Sequence, residues 1–324
     1  MKPTDIFTPS DYPTHTYVAR EEETLESRLR QALDTPGEVV SVSGPSKSGK
    51  TVLIEKIAGR DSLIPLTGAS ISNADDVWDK VLNWMDVPTS VSETTSNGAT
   101  VTPSTSLGAK ISVPTLAEFS GTIGGSGAFQ SSQATAAMRH RHGMEQVIRE
   151  IANSSFVLFI DDFHYMSPEV QATVARQIKE AARRGVKICT ASVPHRSDDV
   201  VRSNPELRGR IRAVDTKPWS EDELLKIGKT GFPILGYNVQ DATLRKLARE
   251  AFTSPQLMQA ICLQACFTVG IYESLDDVIS REFTPAEIRA TLQETATRTD
   301  FGSLIRLMHE GPKTRGTERK DYDL

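Results

Sequence analysis

The stretch "SVSGPSKSGKTVLIEKI", residues 41–57, decides the fold. A β-rich run from Val39 to Val42 leads into polar residues punctuated by glycine, then into a helical pattern with Leu53, Ile54 and Ile57 on one side. Strand, loop and helix in that order are what a phosphate cradle needs, because the loop must turn backbone N–H groups inward at a helix N-terminus. The residues Gly44-Pro45-Ser46-Lys47-Ser48-Gly49-Lys50-Thr51 satisfy G-x-x-x-x-G-K-[ST] in full, and together with Val52 they are expected to bind the nucleotide. The glycines permit the inward turn, the Lys50 ammonium suits β and γ phosphate oxygens, and the Thr51 hydroxyl suits Mg²⁺. The stretch therefore predicts a site for ATP and Mg²⁺.

The second half of such a site is a carboxylate at the end of a buried strand. The run "FVLFIDD" supplies it: Asp161 is expected at the metal, opposite Thr51, and Asp162 is expected to orient or deprotonate the attacking water. An acid pair at this place could instead cap a helix. A third requirement is a hydrogen-bonding group on the next strand that detects the γ-phosphate. In "VKICTASVPHR" the candidates are Thr190 and Ser192, with Arg196 just beyond the strand, and His164 and His195 also lie near strand ends. "NPELRGRIRAV" places Arg208, Arg210 and Arg212 at alternate positions, either as solvated side chains or as a cation delivered to a neighbouring subunit's γ-phosphate.

Around these motifs, strands alternate with helices. Helical patterns run over about 21–33, 74–85, 138–152 and 167–184, with Ser167 as N-cap, Pro168 in the first turn and Gly185 as terminator. Short strands are expected at 62–66, at "FVLFIDD" and at "VKICTASV". Alternation of this kind predicts an α/β fold, a three-layer αβα parallel sheet. From Trp219 onward the pattern is all-helical and predicts a lid subdomain. The expected units are 1–38, an N-terminal arm and helix; 39–218, the core, with a Ser/Thr/Gly-rich insertion at 87–137; 219–310, the helical lid; and 311–324, a polar tail. The insertion reads either as a surface loop or as a hairpin that touches a partner.

Composition narrows the class. With 324 residues, 38% apolar, the chain can bury a real core, and its net charge of −5 argues against wholesale coating by nucleic acid. The basic runs "RHRH" at 139–142 and Lys313, Arg315, Arg319 and Lys320 in the tail are solvated faces or local DNA contacts. Three cysteines, Cys189, Cys262 and Cys266, cannot all pair and lack zinc spacing, so they are expected as reduced core thiols. The N-terminus has no signal-peptide pattern and no uncharged run is long enough to span a bilayer, so a cytoplasmic protein is expected.

With these residues in place, the chain resembles the AAA+ and STAND branches of the P-loop ATPases, and is similar to the origin-recognition type in the approach "YVAREEETLESRL". The resemblance implies that Tyr17, Val18 and Arg20 lie near adenine. "LRGRI" followed by "KPWSEDELLKI" resembles a passage from arginine finger to lid, with Arg210 as first candidate finger and Arg208 as second. Two departures matter. The acid pair is Asp-Asp where many AAA+ proteins have Asp-Glu, and the lid carries "TSPQLMQ" where a Gly-x-Arg stretch is common. The latter is similar to the Gly-x-Pro of STAND proteins and would place Pro255 against the base, although Ser254-Pro255 also reads as an ordinary helix start. Both departures point to a slow nucleotide switch: a homo-oligomer that controls assembly or a protein effector, with prokaryotic defence or signalling implied by resemblance alone. The alternative is an ATPase of the DNA-binding initiator or transposition-helper type.

Overall fold

The computed structural model describes residues 1–20, 23–86, 143–193 and 210–298. The expected insertion, the run at 139–142, the tail, His195, Arg196 and Arg208 lie outside them. The first part of the chain runs α1 (Pro3–Ile6), α2 (Glu23–Asp34), β1 (Val39–Ser43), α3 (Lys50–Ala58), β2 (Leu63–Thr67) and α4 (Asp75–Trp84). Next come α5 (residues 143–151), β3 (Val157–Asp161), α6 (Pro168–Arg183), β4 (Lys187–Ser192) and β5 (Ile211–Asp215).

The five strands form one parallel sheet in the order β2-β3-β4-β1-β5. β1 is buried at every position, and so are the first four residues of β3, as expected for strands covered on both faces. Side chains alternate between faces along each strand. Leu158, Ile160 and Ile188 accordingly join one apolar cluster with Trp78 of α4, Val147 of α5 and Val174 of α6. Val40, Val42, Phe159 and Cys189 join another, with Leu29 of α2 and Ile54 of α3. At α6, the Ser167 hydroxyl accepts from Val170 N and Pro168 stands in the first turn, while Gly185 at φ +93° follows the helix end.

The remaining elements are α7 (Glu221–Ile234), β6 (Tyr237–Val239), α8 (Asp241–Arg249), α9 (Pro255–Thr268), β7 (Ile279–Arg281) and α10 (Pro285–Arg298). The helices share a third apolar cluster built around Phe232, Leu247 and Ile261. The lid is not purely helical: β6 and β7 pair in parallel. Each strand is three residues long, too short to register as alternation, and Gly236 at φ +82° turns the chain out of α7 into β6.

The first residues and α2 pack in different apolar clusters. Ile6, Phe7 and Val18 are buried in the lid cluster, whereas Leu25 and Leu29 of α2 are buried against the sheet. The Phe7 ring lies 5.1 Å from that of Phe232, and a Cβ on Gly231 would come within 2.3 Å of it. All three cysteines are free and buried. No helix among the described residues is long and apolar enough to cross a membrane.

Candidate functional site

β1 ends at Ser43 and hands the chain to the loop 44–49, which enters α3 through Gly49 at φ +83°. Gly44 is required for a different reason. Thr216, just past β5, donates from its backbone N–H and its hydroxyl to the Ser43 carbonyl at 2.7 and 3.0 Å. A Cβ on Gly44 would lie 1.7 Å from the Thr216 hydroxyl oxygen. The loop is thus wedged against the strand that follows it in the sheet.

The Lys50 ammonium folds back inside the loop and donates to the carbonyls of Gly44 and Pro45 at 3.0 and 2.8 Å. Burial lowers its pKa, and the nearby carboxylates of Asp161 and Asp162 oppose that shift. The Thr51 hydroxyl donates to Asp161 Oδ2 at 2.8 Å. Asp161 ends β3, and its other oxygen accepts the Asp162 N–H at 2.9 Å. Asp162 takes a left-handed conformation, φ +52°, and its side chain makes no capping bond to the short turn that follows. Gly68 leaves room for this turn: a Cβ there would sit 2.3 Å from the Asp162 carbonyl oxygen.

Ser192 ends β4, opposite Ser43 in register. It is buried, and its hydroxyl has no hydrogen-bond partner among the described residues. Thr190, the other candidate on this strand, donates to the Val40 carbonyl at 3.4 Å and is occupied within the sheet. The His164 ring lies 4.4 Å from that of Tyr165, tilted by 33°, and its Nδ1 is likewise buried without a partner among the described residues.

Lys50, Thr51, Asp161 and Asp162 line one cleft of about 450 Å³, together with Ser46, Lys47, Ser48, Gly49 and Val52 of the loop. Tyr17, Val18, Arg20 and Pro255 line the same cleft. The Tyr17 hydroxyl donates to Glu26 at 2.6 Å, and burial pushes its pKa well up. Lys56 stands over its ring at 5.1 Å. Pro255 opens α9 and approaches the loop, with its Cγ 3.8 Å from the position a Gly49 Cβ would take. Beside it the Ser254 hydroxyl donates to the Lys47 carbonyl at 3.4 Å and accepts from Leu257 N at 3.2 Å. Ser254-Pro255 is thus a helix start and a lid contact to the phosphate loop at once.

The arginines separate. Arg210 is exposed and lies before β5, where its carbonyl accepts the Val39 N–H. It is therefore at the end of the sheet away from the loop. Arg212 is paired with Glu38 at 3.0 Å.

Sequence reasoning missed Trp219, Thr216 and Gln259. The Trp219 indole N–H donates to the Ser48 carbonyl at 2.9 Å. The buried Gln259 amide of α9 donates to the Thr16 hydroxyl at 2.7 Å and its oxygen accepts the Thr8 N–H at 3.3 Å, tying the N-terminal arm to the lid. The only signal for Trp219 was its place in "KPWSEDE", between the last strand and the lid.

No protein-family model matches the chain, and no curated protein matches it in sequence. Solved structures match it in fold. The ORC2 protein of Aeropyrum pernix, in ADPNP-ADP complexes, superposes with a TM-score of 0.57 at 14% identity, over 93% of this chain and 75% of that one. A Walker-type ATPase of Pyrococcus abyssi gives 0.55 at 13% identity, over 90% and 76%. Cdc6p of Pyrobaculum aerophilum gives 0.53 at 16% identity, over 90% and 71%. The chain shares the fold of these structures: a three-layer αβα parallel sheet of the P-loop NTPase kind followed by a mainly helical subdomain. In this fold the cleft lies where parallel-sheet proteins place ligands, beyond the carboxyl ends of the strands.

Proposed function

We propose that the protein binds ATP with Mg²⁺ in this cleft and hydrolyses it slowly, as a homo-oligomeric switch whose lid reports the nucleotide state to a protein effector. The observation that carries the reading is the convergence of Lys50, Thr51, Asp161 and Asp162 on one cleft that Pro255 of the lid also lines. The donor set fits Mg²⁺, which takes one or two protein oxygens and leaves its other positions to phosphate and water. The Thr51 hydroxyl and the Asp161 carboxylate, already 2.8 Å apart, would hold it. The ion would neutralise charge developing on the phosphate oxygens.

Around it the chain's own groups divide the work. Gly44 to Val52 cradle the phosphates, and Lys50 exchanges its carbonyl partners for phosphate oxygens. Asp162 accepts the proton of the attacking water as its oxygen bonds to the γ-phosphorus and the bond to ADP breaks, giving ADP and phosphate. The side chain of Asp162 is one methylene shorter than glutamate, so it reaches that water less well and turnover is slow. Ser192, buried and unpartnered, hydrogen-bonds the γ-phosphate. Tyr17, Val18, Arg20 and Pro255 enclose the base side of the cleft. Units 39–218 and 219–310 act as core and lid, with the arm moving as part of the lid.

Nucleotide titration and steady-state turnover test the site. Lys50→Ala is expected to lose ATP binding. Asp162→Asn is expected to keep binding while turnover falls roughly 10²-fold or more, the range for removing a general base. Unchanged turnover in Asp162→Asn would remove the base assignment. Stimulation of turnover by duplex DNA, falling steeply with salt, would replace the effector switch with a DNA-engaging ATPase.

A further inference from the structure

The segment 215–220, "DTKPWS", joins the last strand of the sheet to the first lid helix and touches the phosphate loop at both ends. At its start, Thr216 holds the Ser43 carbonyl and sits 3.4 Å from the Ser48 hydroxyl, oxygen to oxygen. At its far end, the buried Trp219 indole donates to the Ser48 carbonyl at 2.9 Å. Trp219 is itself fixed from outside. The Arg20 guanidinium lies over its ring at 5.2 Å and donates to the Lys217 and Pro218 carbonyls at 2.7 and 3.1 Å. Arg20 also pairs with Glu223 at 3.4 Å, in the first turn of α7. Glu223 in turn closes the capping box with Ser220 that starts that helix.

From this chain of contacts we propose that Trp219 is a positioning residue for nucleotide binding: its indole N–H fixes the Ser48–Gly49 peptide plane. A trans peptide directs its C=O and N–H to opposite sides. With the Ser48 carbonyl held by Trp219, the Gly49 N–H is turned away from the indole. Gly49 is the residue most in need of such support, because a glycine at φ +83° has the widest choice of alternative conformations. Arg20 gains a role other than a contact to the base: it braces Trp219 from the arm, so lid, arm and loop meet on one indole. The proposal rests on the ATP reading above and deepens it.

Trp219→Phe keeps an aromatic ring under Arg20 and removes the N–H together with part of the ring. Loss of the hydrogen bond predicts Mg·ATP affinity lower by roughly 3- to 10-fold. In the nucleotide-free protein, amide hydrogen exchange over residues 44–52 is expected to quicken in this variant. Equal affinity and equal exchange in Trp219→Phe and wild type would overturn the proposal while leaving the ATP reading intact. Wild type failing to bind Mg·ATP would sink the ATP reading itself, and the exchange measurement would still decide whether Trp219 orders the loop. Should Trp219→Phe not fold, Arg20→Met removes the brace and leaves the indole. The proposal then requires faster exchange over 44–52 in Arg20→Met, and unchanged exchange overturns it.

Discussion

Gly44 shows how one missing side chain sets the site. A methyl group there would drive into the Thr216 hydroxyl, so Gly44→Ala is expected to destabilise the protein by about 1–3 kcal/mol, the range for overpacking, and to weaken nucleotide binding. Thr216→Ala removes the closest atom of the clash, so the double variant should recover part of the loss in urea unfolding. Additive losses would show that the two residues do not compete for space. Ser192 makes the opposite case. Its buried hydroxyl has no partner among the described residues, so Ser192→Ala removes a cost instead of a bond. Its urea midpoint should stay level or rise, by up to about 1 kcal/mol in stability, while turnover falls. A fall in stability with normal turnover would assign Ser192 to the core and not to the γ-phosphate. The cysteines are silent by the same logic. Burial raises the pKa of Cys189 and Cys262 and pushes Cys266 up to about 12. The thiolate that reacts is therefore absent at neutral pH. A thiol reagent such as DTNB is expected to label none of the three in the native protein and all three after denaturation.

At the level of elements, the N-terminal arm is the most informative piece. Phe7 is fully buried in the lid, against Phe232 and in the gap left by Gly231. Phe7→Ala is expected to cost about 3–5 kcal/mol, measured by urea unfolding. An arm that merely lay on the surface would give almost no change. The sequence could not announce this contact, because it joins residues more than two hundred apart through one ring and one glycine. The strands of the sheet were legible for the reverse reason: β1, β3 and β4 are apolar runs of strand length, and burial on both faces writes itself into adjacent positions. The phosphate loop and the acid pair were legible because each is a local cluster with a fixed spacing. β6 and β7 were not, since three residues show no period. Trp219 was not either, since its partner Ser48 lies 171 residues away and the contact depends on a single N–H.

For the whole molecule, the position of Arg210 decides how the proposed switch must be assembled. Ile211 pairs with Val39 and Asp215 with Ser43, so the Arg210 backbone and the phosphate loop stand at opposite ends of the sheet. Five residues of parallel strand separate them by roughly 16 Å at about 3.3 Å each. An exposed arginine side chain based there is too short to serve the γ-phosphate of its own cleft. If it contributes to hydrolysis, it does so in a neighbouring copy, as a cation that stabilises the charge of the transferring phosphoryl group. This arrangement has a consequence that a structural role for Arg210 would not share. Lys50→Ala retains the arginine but lacks a working cleft; Arg210→Ala retains the cleft but lacks the arginine. Each variant alone is expected to lose turnover, with Arg210→Ala still binding ATP. Mixed together they should regain part of it, because an Arg210→Ala cleft then faces the intact arginine of a Lys50→Ala neighbour. The regained rate should rise with protein concentration, as assembly does. Mixtures that stay inactive at every ratio, in protein shown by light scattering to assemble, would rule out delivery from a neighbouring subunit.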